Sequence, residues 1–262
     1  MKRSLREILE ERRKNHKLFV PYLTFGYPSI PDFLELVSIC NEEGADALEV
    51  GIPYSDPVAD GPIIQTTSYR ALLQGVTPLL VKETMEKASR SIPLVVMTYG
   101  NIVFRYGVDR FTRDFSQAGF QGLIVADFPL EARSLLLGAK EFMEVILLLA
   151  VNSSPERIVR VGQESEGFVY LVSGKGTTGA VDIDLGVLEK VVSMLRSCAV
   201  SPVLVGFGIH SPSRAKEVAS VSDGVIVGSA LLDFILKHES EKSWKEGFAK
   251  LLREYRQALQ ER

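Results

Sequence analysis

The chain has 262 residues, 46% hydrophobic and 24% charged, the balance of a globular protein able to bury a large core and not of a disordered one. Its formal net charge of -3, with no Lys/Arg cluster beyond Arg12-Arg13-Lys14, offers no basic field for a phosphate backbone, so nucleic acid is not an expected partner. The strongest apolar run, Val145 to Val151, falls far short of the ~20 residues of a membrane span, and no export signal follows Met1-Lys2-Arg3, so a cytoplasmic protein is expected.

A first helix is predicted around Leu5, Ile8 and Leu9. Apolar runs then recur at Lys17 to Leu23, Asp46 to Gly51, Pro93 to Tyr99, Gly122 to Ala126, Met143 to Leu149, Phe168 to Val172, Pro202 to Phe207 and Gly224 to Gly228, which makes eight candidate strands. Between them stand segments of helical spacing, such as Phe33, Leu34, Leu36, Val37 and Cys40, or Leu185, Leu188, Val191, Val192 and Leu195, preceded by Pro or Asp start signals. A last helix carries Trp244, Phe248, Leu251, Leu252, Tyr255 and Leu259.

Near-continuous apolar strands alternating with helices imply a parallel sheet covered by helices. Eight such repeats in a chain of this length predict one (β/α)8 TIM barrel spanning 1–262, with the additional N- and C-terminal helices capping it. An open doubly wound sheet is the alternative. Two connections, Ile52 to Pro78 and Ser173 to Asp184, are long for such a fold, and long loops in a compact barrel tend to carry function.

Cys40 and Cys198 are far apart in apolar helical contexts and read as thiols in a reducing compartment, not as a disulfide framework. The histidines His16, His210 and His238 form no ligand-like pair, so no metal site is expected.

Alternation along the second strand puts Ala47, Glu49 and Gly51 on one face. Glu49 therefore points into the barrel between small neighbours, where an unpaired carboxylate has a raised pKa and the profile of a general acid or base. The competing reading is a structural Glu satisfied by an inward cation, for which the strands offer only Lys17. Asp60 precedes Gly61-Pro62 and reads equally as a partner carboxylate or as a cap on the helix through Ala71 and Leu72. Asp56, between Ser55 and Pro57, has turn chemistry. Asp127, after the fourth strand, is either a site carboxylate or a cap for a helix near Pro129.

Gly206-Phe207-Gly208-Ile209 after strand seven and Gly228-Ser229-Ala230 after strand eight stand where barrels commonly bind phosphate on backbone N–H groups and a helix N-terminus. Gly179, in the loop Gly174-Lys175-Gly176-Thr177-Thr178-Gly179, adds a donor or belongs to a mobile lid. Tyr22, Tyr99, Tyr170 and Phe207 are inward or strand-end aromatics that line a flat apolar pocket or pack the core.

The segment from Leu48 to Gln65 closely resembles the signature of the tryptophan synthase alpha subunit family. The likeness continues through Phe19-Val20-Pro21-Tyr22-Leu23-Thr24, Gly122-Leu123-Ile124-Val125-Ala126-Asp127, Thr178-Gly179-Ala180, Gly206-Phe207-Gly208-Ile209 and Gly228-Ser229-Ala230. The resemblance implies a lyase that cleaves indole-3-glycerol phosphate to indole and glyceraldehyde 3-phosphate by a retro-aldol step without metal or Schiff base. It implies Glu49 and Asp60 as catalytic, Tyr22, Tyr99, Ile124, Tyr170, Thr178 and Phe207 around the substrate, and Gly179, Gly208, Gly228 and Ser229 around its phosphate. It also implies an alpha2-beta2 complex with a beta subunit that carries pyridoxal phosphate, this chain holding no cofactor, with Pro53 and Asp56 as partner contacts. Two departures stand out: Tyr22 where Phe is common, and Gly174 beside Ser173 where many relatives have Arg. The rival readings are an allosteric binding module for the beta subunit with little activity of its own, and a phosphosugar isomerase on the same barrel.

Overall fold

In the computed structural model, residues 3–88, 91–172 and 184–260 are described. Eight parallel strands close into a barrel in sequence order: β1 (Leu18–Thr24), β2 (Leu48–Gly51), β3 (Leu94–Thr98), β4 (Phe120–Val125), β5 (Glu144–Ala150), β6 (Val169–Val172), β7 (Val203–Val205) and β8 (Gly224–Val227). The helices are α1 (Leu5–Arg13), α2 (Ile30–Glu42), α3 (Pro62–Leu73), α4 (Pro78–Lys87), α5 (Gly100–Tyr106), α6 (Val108–Gln117), α7 (Pro155–Glu164), α8 (Leu185–Arg196), α9 (Pro212–Val221), α10 (Ser229–His238) and α11 (Trp244–Gln260). A 3-10 stretch, Leu130–Glu141, replaces the α-helix expected near Pro129. The closed barrel rules out the open sheet, and each predicted strand lies within a few residues of an observed one.

Strands covered on both faces need apolar residues at successive positions, and every residue of β1, β2, β7 and β8 is buried. The helices present one apolar stripe each: α2 buries Phe33, Leu36, Val37 and Cys40, and α8 buries Leu188, Val191, Val192 and Leu195. Ser29, Thr77, Ser154 and Ser211 cap the helices that follow them, the hydroxyl of each accepting a main-chain N–H. Each such cap stabilises its helix by about 1 kcal/mol.

Only one of the two terminal helices closes the barrel. Leu5 of α1 is fully buried and reaches the N-terminal mouth, where a Cβ on Gly122 would lie 2.9 Å from its Cδ2. The α1 amide of Arg6 donates to Glu144 at the start of β5, at 3.0 Å. Helix α11 instead packs on the outer wall against α9, α10, α2 and β1, burying Trp244, Phe248, Leu252, Tyr255 and Leu259. The connection from β2 to β3 is long because it holds two helices, α3 and α4.

Cα pairing fixes which side chains point inward. Tyr22 pairs with Glu49 and Glu49 with Val95; Gly51 pairs with Met97 and Met97 with Ile124. Across the barrel, Tyr170 pairs with Leu204. Parallel Cα partners share a face, so Tyr22, Glu49, Met97, Ile124 and Tyr170 all project into the interior.

Candidate active site

Glu49 is fully buried, and neither carboxylate oxygen has a hydrogen-bond partner. Lys17, the inward cation that could have satisfied it, donates instead to the carbonyl of Ser222 at 2.7 Å, at the opposite end of the barrel. Burial, reinforced by the nearby charge of Asp60, pushes the Glu49 pKa up to about 8, because an unsolvated carboxylate is costlier than the neutral acid. Near neutral pH this side chain holds its proton.

Asp60 does not cap α3. The helix starts at Pro62 with Gly61 in the capping position and no side-chain cap bond. The Asp60 carboxylate instead accepts a hydrogen bond from the Tyr99 hydroxyl, which also accepts the amide of Ala59 at 3.4 Å. Gln65 Nε2 pins the Asp60 carbonyl at 2.8 Å. Tyr54 stacks on Tyr99 with centroids 4.9 Å apart, and its hydroxyl accepts from Asn101 at 3.0 Å. Burial raises the Asp60 pKa while the Tyr99 bond pulls it back. The two carboxylates are thus unlike: Glu49 has no donor, and Asp60 has one that favours its charged form.

Both carboxylates line a small chamber of about 50 Å³ with Tyr22, Met97, Tyr170 and Ile226. Two glycines make room for its tyrosines. A Cβ on Gly51 would fall 2.1 Å from the Tyr22 hydroxyl, and one on Gly206 2.2 Å from the Tyr170 ring. Gly206, read from sequence as part of a phosphate turn, makes room for the Tyr170 ring.

Through Gly206, Ile226, Gly228 and Ser229 the chamber opens into a cavity of about 270 Å³ between the segments after β7 and β8. Phe207, Gly208, Ile209 and His210 line one side, and Gly228, Ser229, Ala230 and Asp233 the other. Gly208 has φ +69, a left-handed conformation that a side chain would disfavour. Helix α10 begins at Ser229 without a side-chain cap, so its first amides face this space with their share of the helix dipole. Helices α3 and α10, whose N-termini border the cavity, are joined at their far ends. Arg70 Nη1 lies 2.6 Å from Glu239, and the Tyr27 hydroxyl donates to the same carboxylate at 2.8 Å.

The structure thus gathers Tyr22, Glu49, Asp60, Tyr170, Phe207, Gly208, Gly228 and Ser229 around one continuous space. Tyr99 stands behind Asp60. Ile124 is fully buried and inward but outside the lining. Pro53 is buried and Asp56 exposed on the β2–α3 loop. Asp127 is no cap for the segment after Pro129: it accepts the Gly100 amide at the start of α5, at 2.7 Å, on an exposed position. Thr178 and Gly179 lie outside the described residues. Sequence reasoning missed Ala59, Ile63, Ile64, Met97, Ile226, His210 and Asp233; strand register would have found Met97 and Ile226, since they lie level with or two residues from Gly51 and Gly228.

A closed barrel with an unpartnered acid in an apolar chamber at the C-terminal end of its strands, continuous with an uncapped helix start, defines a (β/α)8-barrel enzyme with acid–base chemistry. A sequence profile described as tryptophan synthase alpha chain matches residues 8–260. The tryptophan synthase alpha chain of Dehalococcoides mccartyi is 41% identical over 250 residues, 94% of this chain and 96% of that one. That of Oceanobacillus iheyensis is 38% identical over 258 residues, 97% of each. Among solved structures, tryptophan synthase of Mycobacterium tuberculosis superposes with a TM-score of 0.87 at 35% identity, covering 99% of both chains. The alpha subunit from Legionella pneumophila gives 0.87 at 32% identity, covering 97% of both. The chain belongs to the tryptophan synthase alpha chain family.

Proposed function

We propose that this chain cleaves indole-3-glycerol phosphate to indole and glyceraldehyde 3-phosphate, with Glu49 as the acid and then the base, and Asp60 as the anionic partner of the indole ring. The observation that carries the roles is the contrast between the two carboxylates: one buried, donor-free and protonated, the other hydrogen-bonded toward its charged form.

Breaking the bond between indole C3 and the glycerol carbon leaves an electron pair that the neutral aromatic ring accepts poorly. Transfer of the Glu49 proton to C3 makes the ring an iminium-type cation and hence an electron sink. Asp60 accepts a hydrogen bond from the ring N–H and stabilises that charge. Glu49, now a carboxylate, takes the proton of the glycerol hydroxyl on the adjacent carbon. The C–C electrons flow into the ring as that hydroxyl becomes the aldehyde, and Glu49 is protonated again. Tyr22, Tyr170, Met97 and Ile226 hold the flat ring, while Gly208, Gly228 and Ser229 receive the phosphate.

On this reading indole passes to a beta subunit that carries pyridoxal phosphate, and the alpha chain, itself without cofactor, works with it in the cytoplasm. The β2–α3 loop supports such docking: Asp56 is exposed, and Val58 stands 72% exposed, an apolar side chain beside the site and open to a partner. Pro53, being buried, shapes the loop and offers little surface of its own.

The test is release of indole from indole-3-glycerol phosphate by the wild-type chain, alone and with a beta subunit, beside Glu49→Gln. Indole from the wild type and almost none from the variant is expected. No release with or without the partner would sink the lyase reading, and equal release from the variant would sink the role of Glu49.

A further inference from the structure

We propose that Tyr22 is a specificity residue of the cleavage reaction, its hydroxyl oxygen held by a buried chain of threonines as a pure hydrogen-bond acceptor that shares the ring N–H of the substrate with Asp60. This rests on the lyase reading above and adds to it a second acceptor and the device that keeps the Tyr22 proton out of the chamber.

Tyr22 lines the chamber with Glu49 and Asp60, is 6% exposed, and has its direction fixed at both ends. A Cβ on Gly228, after β8, would lie 3.2 Å from its Cδ1, and one on Gly51, at the end of β2, only 2.1 Å from its hydroxyl. The side chain thus runs from β8 toward β2, with its oxygen at the start of the β2–α3 connection that carries Asp60. Thr24 is level with Gly51 in the β1–β2 register, on the same face as Tyr22, and is hydrogen-bonded to that hydroxyl.

Thr24 Oγ1 lies 2.8 Å from Thr67 Oγ1 of α3, and Thr67 Oγ1 donates to the carbonyl of Ile64 at 3.0 Å. Both threonines are fully buried. A hydroxyl has one proton to give and a carbonyl has none. A single arrangement therefore makes every bond: Thr67 donates to Ile64, Thr24 to Thr67 and Tyr22 to Thr24. The proton of each hydroxyl points away from the chamber and into α3, and each bond polarises the next. The Tyr22 oxygen is left with a lone pair and no proton to offer. The titratable groups that act on it are Asp60, Glu49 and Tyr99, with Tyr170 across the chamber. Burial and the Asp60 charge hold the phenol well above its ordinary pKa, so it stays neutral. Two acceptors side by side, one neutral and one favouring its charged form, need a donor between them, and the donor of an indole ring is its N–H.

The test compares affinity for indole with affinity for benzothiophene, in which sulfur replaces the ring N–H. Both are titrated into the full chain, beside indole release from indole-3-glycerol phosphate. In Tyr22→Phe the ratio of indole to benzothiophene affinity should fall about fivefold, the worth of one neutral hydrogen bond, and kcat/KM should fall by a similar factor. The acid limb of the kcat/KM profile should stay in place in that variant, because Tyr22 gives Asp60 no proton. In Thr24→Val the freed hydroxyl turns to Asp60 and the acid limb should move to lower pH; adding Tyr22→Phe to Thr24→Val should move it back. An unchanged affinity ratio in Tyr22→Phe would overturn the proposal, and so would equal weakening of both rings, which is the mark of packing alone. An acid limb that moves up in Tyr22→Phe, or stays in place in Thr24→Val, would overturn the assigned proton direction and with it the proposal. No indole release by the wild type, alone or with a beta subunit, would instead overturn the lyase reading, and the proposal with it.

Discussion

Two carboxylates on the second βα unit lie three residues apart, both buried, and have opposite surroundings. Asp46, just before β2 and 2% exposed, accepts the Phe19 amide at 2.8 Å, His16 Nε2 at 2.9 Å and Arg256 Nη1 at 3.1 Å. Arg12 Nη1 adds a 2.6 Å bond to its carbonyl. It ties α1, β1 and α11 together at the N-terminal end of the barrel. Glu49, fully buried near the other end, has none of this. Burial of charge is common to both; absence of partners is what marks the functional group, since a saturated carboxylate has neither lone pair nor proton to give to a substrate.

The largest effect expected of this contrast is at Glu49. Glu49→Gln should lower turnover by about 10³-fold, within the usual worth of acid–base catalysis, without lowering stability. The sign of the pH dependence follows from proton binding. The folded chain holds the Glu49 proton up to about pH 8, whereas the unfolded chain releases it near 4.3. Wild-type stability therefore declines as pH rises through that window. The variant escapes this decline, so melting temperatures near pH 4 should be similar and the variant's should be higher at pH 8. Wild-type kcat/KM should fall above about pH 8 as the acid loses its proton. A variant less stable than wild type at pH 8 would mean that Glu49 has structural partners after all.

Asp46→Asn should do the converse. It removes a charge from His16, Arg256 and Arg12 and should cost about 3 kcal/mol in denaturant unfolding, while turnover of the remaining folded protein changes less than about twofold. A large loss of turnover at full stability would erase the distinction between the two ends.

Much of the contrast could be read in the sequence, for local reasons. Strand periodicity of two put Glu49 inside, and the order of strands put Gly208, Gly228 and Ser229 at one mouth. What escaped depends on contacts between segments far apart in the chain. Asp60 read equally as a helix cap or as a pocket carboxylate because Gly61-Pro62 follows it, and the partner that separates the two readings, Tyr99, comes from the next βα unit. Gly206 looked like a turn residue because its clash partner, the Tyr170 ring, is set by the β6–β7 register. Asp46 drew no attention because its partners come from α1, the segment before β1 and α11. The capping role assigned to both terminal helices fits α1 only, since an amphipathic pattern shows which face is buried but not which surface buries it.

The smallest effect concerns what keeps the site's own two carboxylates different. Tyr99 donates to Asp60 and holds its pKa down against burial, and the Asp60 charge in turn helps push Glu49 up. Tyr99→Phe should therefore move the acid limb of the kcat/KM profile up, because Asp60 without its donor protonates at higher pH. Asp60 stays charged near pH 8, so the alkaline limb set by Glu49 should stay in place and the profile should narrow from its acid side. Turnover at the optimum should fall by about tenfold, the worth of one hydrogen bond to a charged group. A mere loss of packing between Tyr54 and Tyr99 would lower the whole profile without changing its width. A profile that keeps its width would leave burial as the sole source of the difference between Glu49 and Asp60.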